Sequence, residues 1–523
     1  MGAAIHKPVG ISILNDVLGP VMRGPSSSHT AASYHLGRMV ASLLGESPAE
    51  IVVRFDPAGS YGQVYRQQGV DRGFATGILG LPLTDSRFFS ALGEAADRGI
   101  RLVFEIVPLQ NPDHPNCTDI SLRSADGRHL NVRARSTGGG AVEINCIDGW
   151  PVLLCGQTHE VVIECAGEAT SRIRSGIEHE GGLIGEPEVQ SRNGRVLLHF
   201  RRSRALEPGL RAAIAGFPEV AWLRESPPIG FVKQGRALFQ SAAELIALSA
   251  DHQGSIARAG LAHEAGLLGI SGQQVFGEMA LRVDLMCAAV HAGLGEDTPP
   301  MQLLTPTAGR IYRADAEGRL AIGGMHTRAA ARALAVMHMN SGMGVVCAAP
   351  TGGSAGVLPG VLTTLMEECG FDRQQATMAA LAAGAIGVVV AARATFAAEI
   401  AGCQVEIGAA SAMAAAAVVE ATGGTPVQAA DAAAITFQNT MGLVCDLVQG
   451  MVEIPCHTRN AVAASSAFVC ADLAMGGYVN PIPLDETIDA VLAVGKMLPC
   501  ELRVTSLGGL AVTPSALKLQ LRK

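Results

Sequence analysis

Residues 411–438 read SAMAAAAVVEATGGTPVQAADAAAITFQ. Small apolar side chains fill 411–421, two glycines interrupt, and the pattern resumes at Pro426. This spacing predicts two tightly packed helices, 411–421 and 426–438. Thr425 is placed to cap the second, and Pro426 sits in its first position, where a missing N–H costs nothing. The same pattern, broken by glycine-rich loops, extends outward in both directions. A mostly α-helical domain over 235–523 follows, expected to be all-helical, with Pro227-Pro228 marking the linker before it.

Upstream of that linker the periodicity changes. A strand at 161–165, an amphipathic helix at 168–180, a hairpin over 187–202 turning at Arg192-Asn193-Gly194, a helix at 206–215 and a strand at 219–224 give the order β-α-β-β-α-β. This middle domain, 156–228, has a ferredoxin-like plan and resembles an ACT-type module, a unit used for amino-acid binding or pairing; no ligand residues stand out in it. The first 153 residues alternate β-rich runs (51–55, 101–106, 130–134) with a helix over 30–44 and glycine turns, an α+β domain. The chain is thus read as multidomain α+β.

Composition bounds the function. The 523 residues are 48% hydrophobic, 16% charged and only 4% aromatic, with 62 glycines, so a large core is built mainly from small aliphatic side chains. A net charge of -8 and no basic run longer than Arg201-Arg202 argue against nucleic acid as a partner. The apolar stretch between Arg373 and Arg393 is read as a buried core helix, with no membrane partner. Lys7 and Pro8, with Gly10 and Asp16 after them, do not form a signal peptide, so the 12 cysteines are expected to be reduced thiols or ligands in a cytoplasmic protein. Lysine occurs only at Lys7, Lys233, Lys496, Lys518 and Lys523, none in a loop suited to a pyridoxal phosphate Schiff base.

Three cysteines stand apart: Gly402-Cys403-Gln404, Val444-Cys445-Asp446 and Pro455-Cys456-His457, separated by 42 residues (403 to 445) and 11 (445 to 456). Each lies beside Gly, Pro or Asp at a predicted helix end, where thiolates are favoured. Cys287, Cys347, Cys369 and Cys470 lie in apolar surroundings and read as small buried hydrophobes. On spacing alone, three buried thiols and a soft-metal site remain equally open. Three thiolates without a fourth partner suit a [4Fe–4S] cluster with one open iron.

The chain resembles the iron–sulfur-dependent L-serine dehydratases (L-serine ammonia-lyases), with their β and α parts fused. The β part is matched by Gly24-Pro25-Ser26-Ser27-Ser28-His29-Thr30, His114-Pro115-Asn116 and Ser136-Thr137-Gly138-Gly139-Gly140. The α part is matched by 347–356, by the three cysteine segments, and by Arg459-Asn460-Ala461 and Gly508-Gly509-Leu510-Ala511. The resemblance implies a [4Fe–4S] cofactor on Cys403, Cys445 and Cys456, its open iron acting as Lewis acid, and conversion of L-serine to pyruvate and ammonia. A homo-oligomer, expected to be a dimer, is implied as well.

Ser26, Ser27, Ser28, His29 and Thr30 either cap the following helix or form an anion pocket for a carboxylate. His29, His114 and Ser28 are the candidate proton-transfer groups, without a choice among them. Asn116 and the loop Thr351, Gly352, Gly353 and Ser354 are candidates for substrate binding; without the resemblance that loop reads as a helix-connecting turn.

Departures from the family pattern cluster where substrate would lie. Gly-His-Gly-Thr-Asp becomes Gln67-Gln68-Gly69-Val70-Asp71, and Asn-Ala-Ser-Ile-Ser becomes Arg393-Ala394-Thr395-Phe396-Ala397. Cys-Asp-Pro-Val-Ala-Gly becomes 445–450, Arg-Glu-Thr becomes Arg503-Val504-Thr505, and no cysteine ends the chain. Arg393 either pairs with an extra substrate carboxylate or phosphate, or is a solvated helix-end charge. Three readings therefore stand: a serine lyase; the same cluster acting on another substrate, by cysteine desulfidation or by dehydration or isomerisation of another, more anionic, hydroxy acid; or a non-enzymatic amino-acid-binding protein.

Overall fold

A computed structural model describes residues 10–296 and 298–522; Lys7, Pro8 and Lys523 lie outside it. Near the N-terminus, alternating side chains build a six-stranded sheet. Its spatial order is Arg101–Ile106, Pro48–Phe55, Cys117–Ser124, His129–Gly138, Ala141–Ile147 and Trp150–Leu154. Only the first pair is parallel. Ile51, Val53 and Phe55 alternate into a core shared with Ile120, Leu122 and the inner faces of the helices Ala32–Leu44 and Val70–Ile78.

The middle unit has the predicted element order. Its four antiparallel strands lie as Val220–Ser226, His159–Ala166, Arg195–Arg202 and Glu188–Arg192, with Thr170–Glu180 and Pro208–Ala215 as its two longer helices. Asn193 and Gly194 both take positive φ, 49° and 76°, as a tight hairpin turn requires. Arg224 ties this unit to the first one, donating to Asp148 Oδ2 at 2.8 Å and to the His129 carbonyl at 2.7 Å.

The remaining chain is dominated by helices around Arg373–Arg393 and Ile407–Ala421, both lined by Ala, Val and Gly. Two helical stretches, Arg373–Arg393 and Cys403–Ala421, are long and apolar enough to cross a membrane, but 78% and 89% of their apolar windows are buried inside the protein. Thr425 caps Pro426–Thr440 in a reciprocal box with Gln428.

Two features depart from the sequence-based expectation. The helical body is not purely helical, because Val345–Cys347 forms a strand that pairs antiparallel with Val21–Arg23. In addition, residues 10–23 pack with the helical body rather than with the first sheet. The π-helical turn Ile13–Val17 buries Ile13, Leu14 and Val17 in the core around Ala382, Ala385 and Val388. Glycines 384 and 387 leave the space: a Cβ there would meet Ile13 Cγ2 at 2.4 Å and Val17 Cγ1 at 2.2 Å. Local periodicity carries no sign of this docking, because the partners lie more than 350 residues away (13 to 384).

The buried Glu264 carboxylate holds the turn in place. It accepts from Ser12 Oγ at 2.5 Å, Ile13 N at 2.7 Å and Leu14 N at 2.9 Å. Glu264→Ala strands these donors away from water, at about 1–3 kcal/mol for each unsatisfied group. A loss of at least ~3 kcal/mol in denaturant unfolding is expected; an unchanged midpoint would show that the strap contributes nothing.

Candidate active site

After Pro25 the chain enters a second π-helical turn, Ser27–Ala31, which leads directly into Ala32–Leu44. Such widened turns present side chains that a regular helix would turn aside. His29 is fully buried here. Its Nδ1 lies 3.1 Å from Ser26 Oγ and 3.0 Å from Ser28 Oγ, while Nε2 lies 2.9 Å from Ser60 Oγ. The Tyr61 ring packs edge-on at 5.2 Å, and its hydroxyl donates to the Ser28 carbonyl. Burial lowers the His29 pKa to about 4, with the nearby Glu399 pulling the other way.

Glu399 joins the two halves of the chain. Its Oε1 accepts from Ser28 Oγ at 2.7 Å and from Asn116 Nδ2 at 3.1 Å, and lies 3.9 Å from His29 Nδ1. His114 stands one step behind, its Nδ1 accepting from the Asn116 N–H at 3.0 Å; His114 Nε2 and Asn116 Oδ1 are buried without partners. The second glycine loop is braced against the first, with Gly352 N–H donating to Ser27 Oγ at 3.1 Å. Asn460 holds its far side through the Gly353 carbonyl and the Gly356 N–H. Thr351 and Ser354 bond to each other as a small capping box.

The three cysteines converge on this place. Cys403 follows Gly402, Cys445 pairs its backbone with 502–504, and Cys456 is the first residue of the helix Cys456–Met475. All three line one small cavity, together with Ser26, Ser28, Gln68, Gly353, Glu399 and Glu406. The Sγ atoms of Cys403 and Cys445 and a Glu406 carboxylate oxygen lie within 4.8 Å of one another. Arg459, one turn into the Cys456 helix, brings its Nη1 to 3.8 Å from Cys403 Sγ and is fixed by Asp446 and the Val444 carbonyl.

A hydrogen bond from Cys445, aided by Arg459, lowers the Cys403 pKa despite burial. The same bond and burial push Cys445 well up, while burial followed by the charge of Cys403 does so for Cys456 and Glu406. A multivalent cation would reverse this, because thiolate and carboxylate are the forms that ligate it. The donor set therefore fits a metal centre.

Several sequence candidates thus meet at one cavity: Ser26, Ser28, Gly353 and the three cysteines line it. His29, Asn116 and His114 stand behind that wall, whereas Ser27, Thr351, Gly352 and Ser354 brace the loops. Thr30 points elsewhere, its hydroxyl donating to the Gln68 carbonyl. Arg393 is not brought to the cavity. It ends its helix and is taken up by Asp489 and by the Asp485 carbonyl, so acids 92 and 96 positions later consume the charge. Cys369, expected to be buried, is exposed. Glu399 and Glu406 were not singled out by sequence reasoning, and Gln68 appeared there only as a departure from the family pattern. The available signal was a pair of carboxylates flanking Cys403 within an otherwise apolar run, a place where Glu is rarely buried without a task.

Residues 221–511 match the family described as serine dehydratase alpha chain. The chain belongs to that family. The probable L-serine dehydratase alpha chain of Bacillus subtilis (strain 168) is 41% identical over 283 residues, 54% of this chain and 94% of that protein. The L-serine dehydratase alpha chain of Peptoniphilus asaccharolyticus is 40% identical over 239 residues, covering 46% of this chain and 82% of its own length. For the L-serine dehydratase TdcG of Escherichia coli (strain K12), identity is also 40%, over 182 residues, 34% of this chain and 40% of that one. This serine dehydratase family member is accordingly an enzyme, a lyase of amino-acid metabolism, and the non-enzymatic reading falls away.

Proposed function

We propose that the chain is a [4Fe–4S]-dependent L-serine ammonia-lyase producing pyruvate and ammonia, with Cys403, Cys445 and Cys456 holding the cluster. The observation that carries this reading is the meeting of three buried thiols with the Ser26–Ser28 and Gly353 loops on a single cavity. The names of the relatives above supply the substrate. When bound, the cluster would provide a Lewis-acidic iron that assists departure of the β-hydroxyl. Glu406, within reach of Cys403 and Cys445, is the further ligand-type side chain beside that position among the described residues.

The chain's own groups do the rest. Ser26 and Ser28 present hydroxyls to the substrate carboxylate. His29, neutral at pH 7, receives the Cα proton at Nδ1 through one of these two hydroxyls, and Ser60 fixes the ring from Nε2. Asn116 orients Glu399, and His114 steadies Asn116. Leu447, Val452, Val504 and Ile407 form the apolar part of the wall and limit water around the reacting atoms. Arg459, beside Cys403, favours its thiolate form. Thr351, Gly352 and Ser354 hold the substrate-facing loop in shape.

The same reading takes 1–153 and 235–523 as the β-type and α-type domains and 156–228 as an ACT-like module. It places the protein in the cytoplasm as a homodimer with a small amino-acid substrate, without nucleic-acid or membrane partners. The more anionic hydroxy acid loses its support, because Arg393 is paired within the protein.

Purification without oxygen, followed by iron, sulfide and pyruvate assays with L-serine, tests the proposal. About four irons per chain and pyruvate release are expected. Iron without pyruvate would reject serine and send the search to L-cysteine and other β-substituted acids; no iron after reconstitution would reject the cluster.

A further inference from the structure

The polar wall of the cavity is one-sided in charge. Its ionisable members are Glu399, Glu406 and the three cysteines, and no lysine or arginine among the described residues lines it. Arg459 is already engaged by Asp446 and the Val444 carbonyl, and Arg393 by Asp489. A free cation brought by a ligand would therefore meet carboxylate and find no competing positive side chain on that wall.

The two carboxylates are not equivalent. Glu406 lies with the thiols, within 4.8 Å of Cys403 and Cys445 Sγ. Glu399 sits four residues before Cys403, 6% exposed, and spends Oε1 on both Ser28 and Asn116. The side chain also lines the cavity. Burial alone would push this carboxyl up, yet His29 and the hydrogen bonds from Ser28 and Asn116 outweigh it and hold the group below the usual carboxylate range. A charge kept at such a depth is costly unless something cationic or strongly donating meets it.

Resting on the amino-acid lyase reading, the geometry points to Glu399 as the group that receives the substrate's α-ammonium, making the cavity selective for zwitterionic amino acids over the corresponding hydroxy acids. The substrate carboxylate and β-hydroxyl are served by the serine hydroxyls and the metal side, and the ammonium is the remaining polar substituent. A buried carboxylate answers it with a charge-assisted hydrogen bond. An amine-free analogue leaves Glu399 facing an uncharged carbon and brings its own carboxylate towards an uncompensated anion.

The test compares L-serine with 3-hydroxypropanoate, which keeps the carboxylate and the hydroxyl but lacks the amine. Both are measured by calorimetric binding and by kinetics on the anaerobic holoenzyme, wild type and Glu399→Gln. Glutamine retains an acceptor for Ser28 and Asn116 and removes only the charge. The expected result is about 10- to 100-fold weaker L-serine binding in Glu399→Gln, corresponding to one or two decades in Kd. The larger part should appear in KM rather than kcat, with 3-hydroxypropanoate binding unchanged or tightened.

Equal weakening of both ligands would overturn the assignment in favour of a purely structural role, and so would undiminished L-serine binding. A wild type that binds 3-hydroxypropanoate as tightly as L-serine overturns it even if serine is turned over. Conversely, a wild type that binds L-serine selectively through Glu399 but releases no pyruvate supports the ammonium site while rejecting the serine-lyase reading.

Discussion

Cys403→Ser, Cys445→Ser and Cys456→Ser each abolish pyruvate formation, by a factor of about a thousand or more, and each strips most of the iron. The expectation follows from the thiol set. Serine is nearly isosteric, but its hydroxyl does not ionise near neutrality and is a hard donor where iron–sulfur centres take thiolate. Substituting any one of the three proposed ligands leaves two, with Glu406 as the other donor within reach. Because serine preserves side-chain volume and all three positions are buried, the far-UV dichroism should be retained while the visible charge-transfer absorption disappears. Cys347→Ser and Cys470→Ser are the controls: both thiols are buried but lie outside the cavity, and iron content should be unaltered. Full iron retention in Cys456→Ser would remove that residue from the ligand set.

His29→Gln is the second large effect, a fall in kcat of about 10²–10⁴, the usual contribution of a positioned general base. Ser26, Ser28 and Ser60 surround the ring at hydrogen-bond distance, so the loss should appear in turnover more than in substrate affinity. The pH dependence has a definite sign. Burial depresses the His29 pKa to about 4, whereas an unfolded histidine titrates near 6.5. The unfolded chain therefore binds the proton first, and the stability associated with a neutral ring is present above pH 6.5 and lost as pH falls towards 4. His35 and His338, at about 4, and His457, at about 3, are depressed by burial in the same way. Unfolding free energy should drop steeply between pH 6.5 and 4, and His29→Gln should make the drop shallower by up to about 1.4 kcal/mol per pH unit over that window. An identical slope in the variant would contradict a neutral, buried His29.

Much of this architecture is legible because it is local. The alternation in 51–55, the hairpin turn at Asn193-Gly194 and the Thr425-Pro426 start of a helix are each decided by a few adjacent residues, and each reappears in the structure. The three cysteines stood apart by their neighbours, but spacing alone left their role open and only the family resemblance grouped them as a ligand set; the structure places all of them on one cavity. Other features depend on partners far along the chain. Nothing near Glu399 indicates Ser28 or Asn116, which approach from 371 and 283 positions away. Arg393 looks like an introduced pocket charge until Asp485 and Asp489 fold onto it. The strand Val345–Cys347 is too short to read as one and exists only because Val21–Arg23 lies beside it.

The docking of Ile13–Val17 into the helical core also shapes how the protein must be made. These residues leave the ribosome well before their partners: the Glu264 carboxylate that receives them and the Arg373–Arg393 helix that covers them are synthesised roughly 250 and 370 residues later. At translation speeds of about 5–20 residues per second, the leading segment waits on the order of tens of seconds with its apolar face uncovered, while the six-stranded sheet and the unit after it have time to form behind it. Chain synthesis thus proceeds away from the segment's destination, and the closure brings an early segment back to one made much later. A nascent chain halted before residue 264 should accordingly be the species that molecular chaperones hold longest.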